Sequence, residues 1–157
     1  MIDEIKEVLS RAKTGTLSVI DFESGAPFGA LVNVATDEVG LPLFLFSHLA
    51  RHTKSLQAHA TASLLVSELP LEGDALVGFR ATIVGEMAQV ETDAKTYLAH
   101  HPYAELYVGF SDFGFWRMTP KIIYVVGGFG RIKTYAAAEV FGEINPNFDR
   151  IVKVRNS

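Results

Sequence analysis

The chain has 157 residues, 48% of them hydrophobic and 20% charged, a net charge of −4 and no cysteine. That length and apolar content support one domain with a proper core and exclude a disordered segment. The slightly acidic balance, without a block of like charges, argues against a nucleic-acid surface, and the missing thiols exclude disulfides, thiolate catalysis and Cys-ligated metals.

Residues 2–12 place Ile2, Ile5, Val8, Leu9 and Ala12 on one helical stripe, with Asp3, Glu4, Lys6 and Glu7 outside it. The segment reads as a helix packed on one side and not as a signal peptide. Residues 15–22 alternate as a strand, and Glu23-Ser24-Gly25-Ala26-Pro27 turns the chain. Phe28 to Thr36 and Leu41 to Ser47 are two further strands, giving the spacing of an antiparallel meander. A short helix to about His59 follows, then a strand over 61–67. A loop with Pro70 and Gly73 leads to a long strand over 78–91, where Gly85 marks a bulge or kink. A helix runs from Thr92 to about His100, and Pro102 breaks it. Phe113–Met118 and Ile122–Val126 are expected as two last strands across a turn at Thr119-Pro120. Gly127-Gly128-Phe129-Gly130 is expected to end the regular pattern, and the tail around Asn145-Pro146-Asn147 to form an extension or arm. Strands outnumber helices and follow one another, so the expected fold is mainly β, an antiparallel barrel with peripheral helices. No apolar run approaches the ~20 residues of a membrane span, so no membrane partner is expected.

The segment from Phe44 to Leu56 concentrates the chemistry. An apolar run stops at Ser47, and Arg51, His52, Thr53 and Lys54 follow at the start of a helix. Unpaired N–H groups and the helix dipole make such a start a cradle for an anion, and Arg and Lys add charge-assisted bonds. The alternative is a polar loop capping a surface helix. Arg80, inside an apolar strand, either faces solvent or points inward at an anion. Asn33, within Ala30-Leu31-Val32-Asn33-Val34, either lies on a polar face or lines a flat heterocycle. His100-His101 closes a helix and complements its dipole. His48 and His52 are four apart, but His48 belongs to a strand end, so a metal is not expected. Trp116 and Arg117 read as core or interface. The glycines of 127–130 lack the strand-to-helix context of a dinucleotide fingerprint.

Taken in order, these stretches resemble the FMN-binding split-barrel proteins related to pyridoxamine 5′-phosphate oxidase, and within them the haem-utilisation branch. The segment Ser47-His48-Leu49-Ala50-Arg51-His52-Thr53 carries most of the likeness, with residues 103–117 and Val126–Arg131 next. The resemblance implies a six-stranded split barrel over residues 1–135, with 136–157 as a C-terminal extension. It implies a homodimer holding FMN at its interface, cytoplasmic, acting on a small-molecule substrate or haem. The family's phosphate-gripping Arg-Lys pair falls on His52 and Thr53, flanked by Arg51 and Lys54; its aromatic-hydroxyl pair falls on Phe46 and Ser47. Its second-strand contacts fall near Val32, Asn33 and Val34, and a flavin-contacting Gln falls at Arg80. The basic and aromatic ending of the true oxidases is missing, and no His follows His101. The expected function is an FMN-binding, oxidoreductase-like protein without an assigned catalytic residue. The alternatives are a haem-binding or haem-utilisation protein, or a flavin binder without turnover.

Overall fold

Ile5, Val8 and Leu9 recur at helical spacing, and in the computed structural model they form the buried stripe of α1 (Ile2–Arg11). The structure describes residues 1–144, so the arm expected around Asn145-Pro146-Asn147 lies outside it. Asp3 and Glu4 occupy the first turn of α1 and Arg11 its last, matching the helix dipole at both ends.

Eight strands follow among the described residues: β1 (Thr14–Ile20), β2 (Pro27–Asn33), β3 (Ala35–Thr36), β4 (Pro42–Ser47), β5 (Thr61–Ser67), β6 (Arg80–Val90), β7 (Phe113–Val126) and β8 (Ile132–Ala136). They pair antiparallel in the order β2-β1-β5-β6-β7-β4-β3, with β8 on the free half of β7. The two ends of this path, β2 and β3, are consecutive in the chain and separated only by Val34. The sheet therefore curls until its ends meet on one segment. Helices α2 (Arg51–Ala58), α3 (Ala94–His100) and α4 (Ala137–Phe141) lie at its periphery.

The expectation of six strands is corrected to eight, for two local reasons. The β1 ladder ends at Val34, whose N–H makes its last bond, to the Lys13 carbonyl at 2.9 Å, and β3 then pairs with β4 instead. The glycines of 127–130 do not end the pattern but turn a hairpin. Gly128 and Gly130 take φ of 105° and 76°, a region closed to most side chains, and Gly127 N–H bonds the Arg131 carbonyl at 2.8 Å.

The turn expected at Thr119-Pro120 is also absent, and β7 runs straight through it. Proline cannot donate to a ladder, and β6 accommodates it with a register shift between Val84 and Gly85, opposite Pro120. A Cβ on Gly85 would sit 2.3 Å from the Thr119 carbonyl oxygen, so only glycine permits this approach.

β4 explains why its sequence is apolar without alternation. Phe44 and Phe46 point into the main core, with Leu17, Leu64, Ile83, Met118 and Ile123. Leu43 and Leu45 point the other way, into a second cluster with Ala35, Tyr97 and Ala104 beneath α3. A strand buried on both faces has no polar side to show. The packed unit also continues past residue 135: Ala137 and Val140 of α4 belong to the main core, and Glu139 accepts a 2.7 Å bond from the Ala136 N–H at the start of that helix.

Candidate functional site

The ends of β2 and β4 and the start of α2 enclose a cleft of about 180 Å³. Leu31, Val32 and Asn33 form one wall, Leu45, Phe46 and Ser47 the other, and Ala50 and His52 close it. Five residues singled out from the sequence, Val32, Asn33, Phe46, Ser47 and His52, thus meet in one place. They meet because the curl of the sheet brings β2 beside β4.

The connection from β4 to α2 is short and self-bonded. The Ser47 hydroxyl accepts the Leu49 N–H at 3.2 Å, and the Ser47 carbonyl accepts the Ala50 N–H. Ala50, the residue before α2, has no side chain with which to cap it.

Arg51 is committed elsewhere. Its Nε and Nη2 donate to the two carboxylate oxygens of Asp21 at 2.6 and 2.9 Å, a bidentate pair. Its guanidinium also lies over the rings of Phe22 and Phe28, at 5.4 and 5.8 Å from their centroids. Asp21 additionally accepts the Ser24 N–H and hydroxyl. The Arg51 bond, then those of Ser24, hold its carboxyl well below the usual carboxylate range. Ser55 completes this clamp by accepting the Phe22 N–H and donating to the Arg51 carbonyl. Arg51 therefore ties α2 to the β1–β2 turn, and it is not among the residues lining the cleft.

His52 behaves in the opposite way. Its ring packs edge-on against Phe46, with centroids 4.4 Å apart. Its Nε2 is buried and has no hydrogen-bond partner among the described residues. Burial lowers its pKa, so the imidazole is neutral at neutral pH. A buried polar atom left unpaired costs about 1–3 kcal/mol, which a ligand at that nitrogen would recover. Thr53 is fully buried and its Oγ1 is likewise unpartnered. Lys54 is exposed beside them.

Arg80 does not join the cleft. It sits at the start of β6, paired with Ser67 and Val126, and its Nη1 donates to the carbonyls of Leu76 and Gly78 at 2.7 and 3.4 Å. Val34 lies behind the cleft wall, fully buried. Among the described residues, no group of three or more His, Asp or Glu side chains comes together for a metal.

Sequence reasoning missed Leu31, Leu45, Ala50 and His101. The first three are ordinary apolar residues whose role exists only once β2 and β4 are adjacent. His101 was read as closing a helix and complementing its dipole, and it is fully buried. Its Nε2 meets the Val34 carbonyl at 2.7 Å and its Nδ1 the Tyr103 hydroxyl at 2.8 Å. Its one sequence signal was its place before Pro102, where the chain folds inward. Trp116 is a core residue, and Arg117 lies buried 3.8 Å from Asp37, whose pKa is raised by its own burial.

The model of the CREG β-barrel family matches residues 5–141, and the chain belongs to that family. It is 38% identical over 133 residues to the chloroplastic non-canonical heme oxygenase HOZ of Arabidopsis thaliana, an alignment that covers 81% of this chain and 40% of that protein. The solved structure of a heme binding protein from Mycobacterium smegmatis superposes with a TM-score of 0.81 at 26% identity, over 90% of this chain and 59% of that one. A protein of the pyridoxinephosphate oxidase family from Clostridium acetobutylicum, related to general stress protein 26, shares the fold with a TM-score of 0.67 at 14% identity, over 89% of this chain and 96% of that one. The chain thus spans less than two thirds of the length of the first two, 40% of one and 59% of the other.

Proposed function

We propose that this chain is a haem-binding barrel whose cleft receives one side of the macrocycle, with His52 directed at the bound group. The carrying observation is the buried, unpartnered and neutral Nε2 of His52, set against Phe46 in a cleft otherwise walled by Leu31, Val32 and Leu45. A neutral imidazole is the commonest protein ligand to iron-type metals, and apolar walls suit the face of a porphyrin. The fit is consistent with the haem-related names of two relatives. Haem would supply the iron and any oxygen chemistry; the chain would hold it and exclude water.

The cleft is too small to enclose a macrocycle, so a second surface is needed. The outer face of the sheet supplies one. Across it, the register aligns Leu31, Thr16, Leu65, Thr82 and Tyr124 in one uncharged row, with Ile122 in the next. Leu31 belongs both to this row and to the cleft, and it is 78% exposed. A second copy covering that row would complete the site, and we read the protein as a homodimer on this basis.

Absorption titration of the apoprotein with haemin tests the reading. A saturable Soret shift of one haem per chain, lost in His52→Ala, is expected; an unchanged titration in that variant would overturn it. Adding reductant and oxygen then separates the two possible roles. Decay of the Soret band with release of a linear tetrapyrrole marks turnover, and a stable band marks carriage.

FMN is the second reading, favoured by one observation: α2 begins without a side-chain cap, beside Ser47 and the unpartnered Thr53 Oγ1. Those groups would take the phosphate, and Val32, Asn33 and Phe46 would line the ring. Quenching of flavin fluorescence on titration with apoprotein supports this reading, and unquenched fluorescence removes it.

A further inference from the structure

We propose that His101 is a positioning residue for the cleft: through its Nε2–H it holds the Val34 carbonyl, and so fixes the strand end that presents Val32 and Asn33. The identity of the ligand rests on the reading above, but the positioning itself does not.

The geometry is specific. Val34 is the one residue between β2 and β3, where the chain stops pairing with β1 and starts pairing with β4. A residue at the end of a ladder must find another partner for any main-chain group the ladder no longer bonds. Its N–H still follows the register of β1 and β2, bonding the Lys13 carbonyl at 2.9 Å. Its carbonyl finds His101 Nε2 at 2.7 Å, contributed from 67 residues away. A carbonyl can only accept, so Nε2 carries the proton. The other ring nitrogen, Nδ1, stands 2.8 Å from the Tyr103 hydroxyl, a group able to take either role in that bond. The ring is itself fixed by packing against Tyr97, at 5.0 Å between centroids, in the second core cluster. His101 is completely buried. The two residues before Val34 are cleft wall. The imidazole thus reaches the site through one main-chain carbonyl and is not itself part of the cleft wall, so its role is positioning.

The side-chain amides of Gln and Asn separate this role from mere filling of space. A Gln nitrogen reaches about where Nε2 sits, and an Asn nitrogen only about where Nδ1 sits. Hydrogen exchange is measured at the Val34 amide in the apoprotein, with the Leu64 amide of β5 as an internal reference. We expect His101→Asn to speed exchange at Val34 about tenfold or more relative to Leu64, and His101→Gln to leave it within about threefold of wild type. Tyr103→Phe keeps the Val34 bond and is expected to behave like the Gln variant. Equal exchange at Val34 in the Asn and Gln variants would overturn the proposal, as would a general rise that includes Leu64. Haemin titration of the same variants is the second readout: affinity should fall about tenfold in His101→Asn and recover in His101→Gln. If wild type binds no haemin, the haem reading fails while the exchange experiment still decides the role of His101.

Discussion

Arg51 and His52 are neighbours at the start of one helix, and they live under opposite physics. Arg51 is engaged on several sides: its Nε and Nη2 donate to the Asp21 carboxylate, its guanidinium lies over two aromatic rings, and its carbonyl accepts the Ser55 hydroxyl. His52 has a ring edge on Phe46 and a buried nitrogen with no partner among the described residues. A group engaged in this way holds structure together, whereas a buried group left short of a bond is available to a ligand. The expected phosphate grip put the weight on the cations. The fold commits the stronger cation to the scaffold and leaves the imidazole facing the cleft.

The comparison breaks most sharply at His52. His52→Ala should weaken haemin binding about a hundredfold or more, while stability stays within about 1 kcal/mol of wild type, because the deleted ring nitrogen made no bond. Thermal melts beside the titration check both halves. A large loss of stability with retained affinity would reverse the roles assigned to these neighbours.

The second effect is assembly. Leu65→Asp places a carboxylate in the middle of the uncharged row formed with Leu31, Thr16, Thr82 and Tyr124. It should convert a dimer to a monomer in sedimentation and lower haemin affinity about tenfold, because Leu31 is shared between row and cleft.

Arg51→Ala should act in the other direction from His52→Ala. It should lower the melting temperature by several degrees and change haemin affinity by less than about threefold. The pH dependence sharpens this further. The folded pKa of Asp21 lies below its unfolded value, so the pair stabilises above about pH 4 and that contribution is lost as pH falls toward the folded pKa. The stability gap between wild type and Asp21→Asn should therefore be full at pH 7 and shrink below about pH 4. For His52 the folded pKa is also depressed, but for a base this means stability falls as pH drops below about 6.5. Haemin affinity should accordingly be flat from neutral pH upward and decline on the acid side, and the decline should be absent in His52→Ala.

Lys54→Ala is the smallest expected change. The side chain is exposed and lies outside the cleft wall, so haemin affinity should move by less than about twofold. A larger drop in FMN than in haemin affinity would favour the phosphate reading of the α2 start.

How far the sequence could be read follows from how local each interaction is. The stripe Ile5, Val8, Leu9 and the alternation of 61–67 report on their own neighbours, and both elements form as periodicity requires. Pro120 was misleading because its consequence depends on Gly85 across the sheet, 35 positions away. β8 was missed because glycines read as an ending, when their positive φ values serve a hairpin return. In the site, Phe46, Ser47 and His52 were legible as a strand end entering a helix. Asp21 as the partner of Arg51 was not, since 30 residues separate them. For His101 the place before Pro102 was the one signal, because a helix-terminal histidine otherwise looks the same whether it meets water or a carbonyl.

The sequence by itself determined the class of the molecule: an antiparallel β protein with peripheral helices and a chemically dense turn after the strand ending at Ser47. Periodicity and turn chemistry are properties of adjacent residues, so one sequence suffices to read them. The tertiary structure decided which groups in that turn were already satisfied. Hydrogen-bond capacity is finite: Asp21 takes the Nε and Nη2 of Arg51, Ser24 donates to that same carboxylate and Ser55 to the Arg51 carbonyl, while no group among the described residues bonds His52 Nε2. That allocation depends on which distant segments the curl of the sheet brings together.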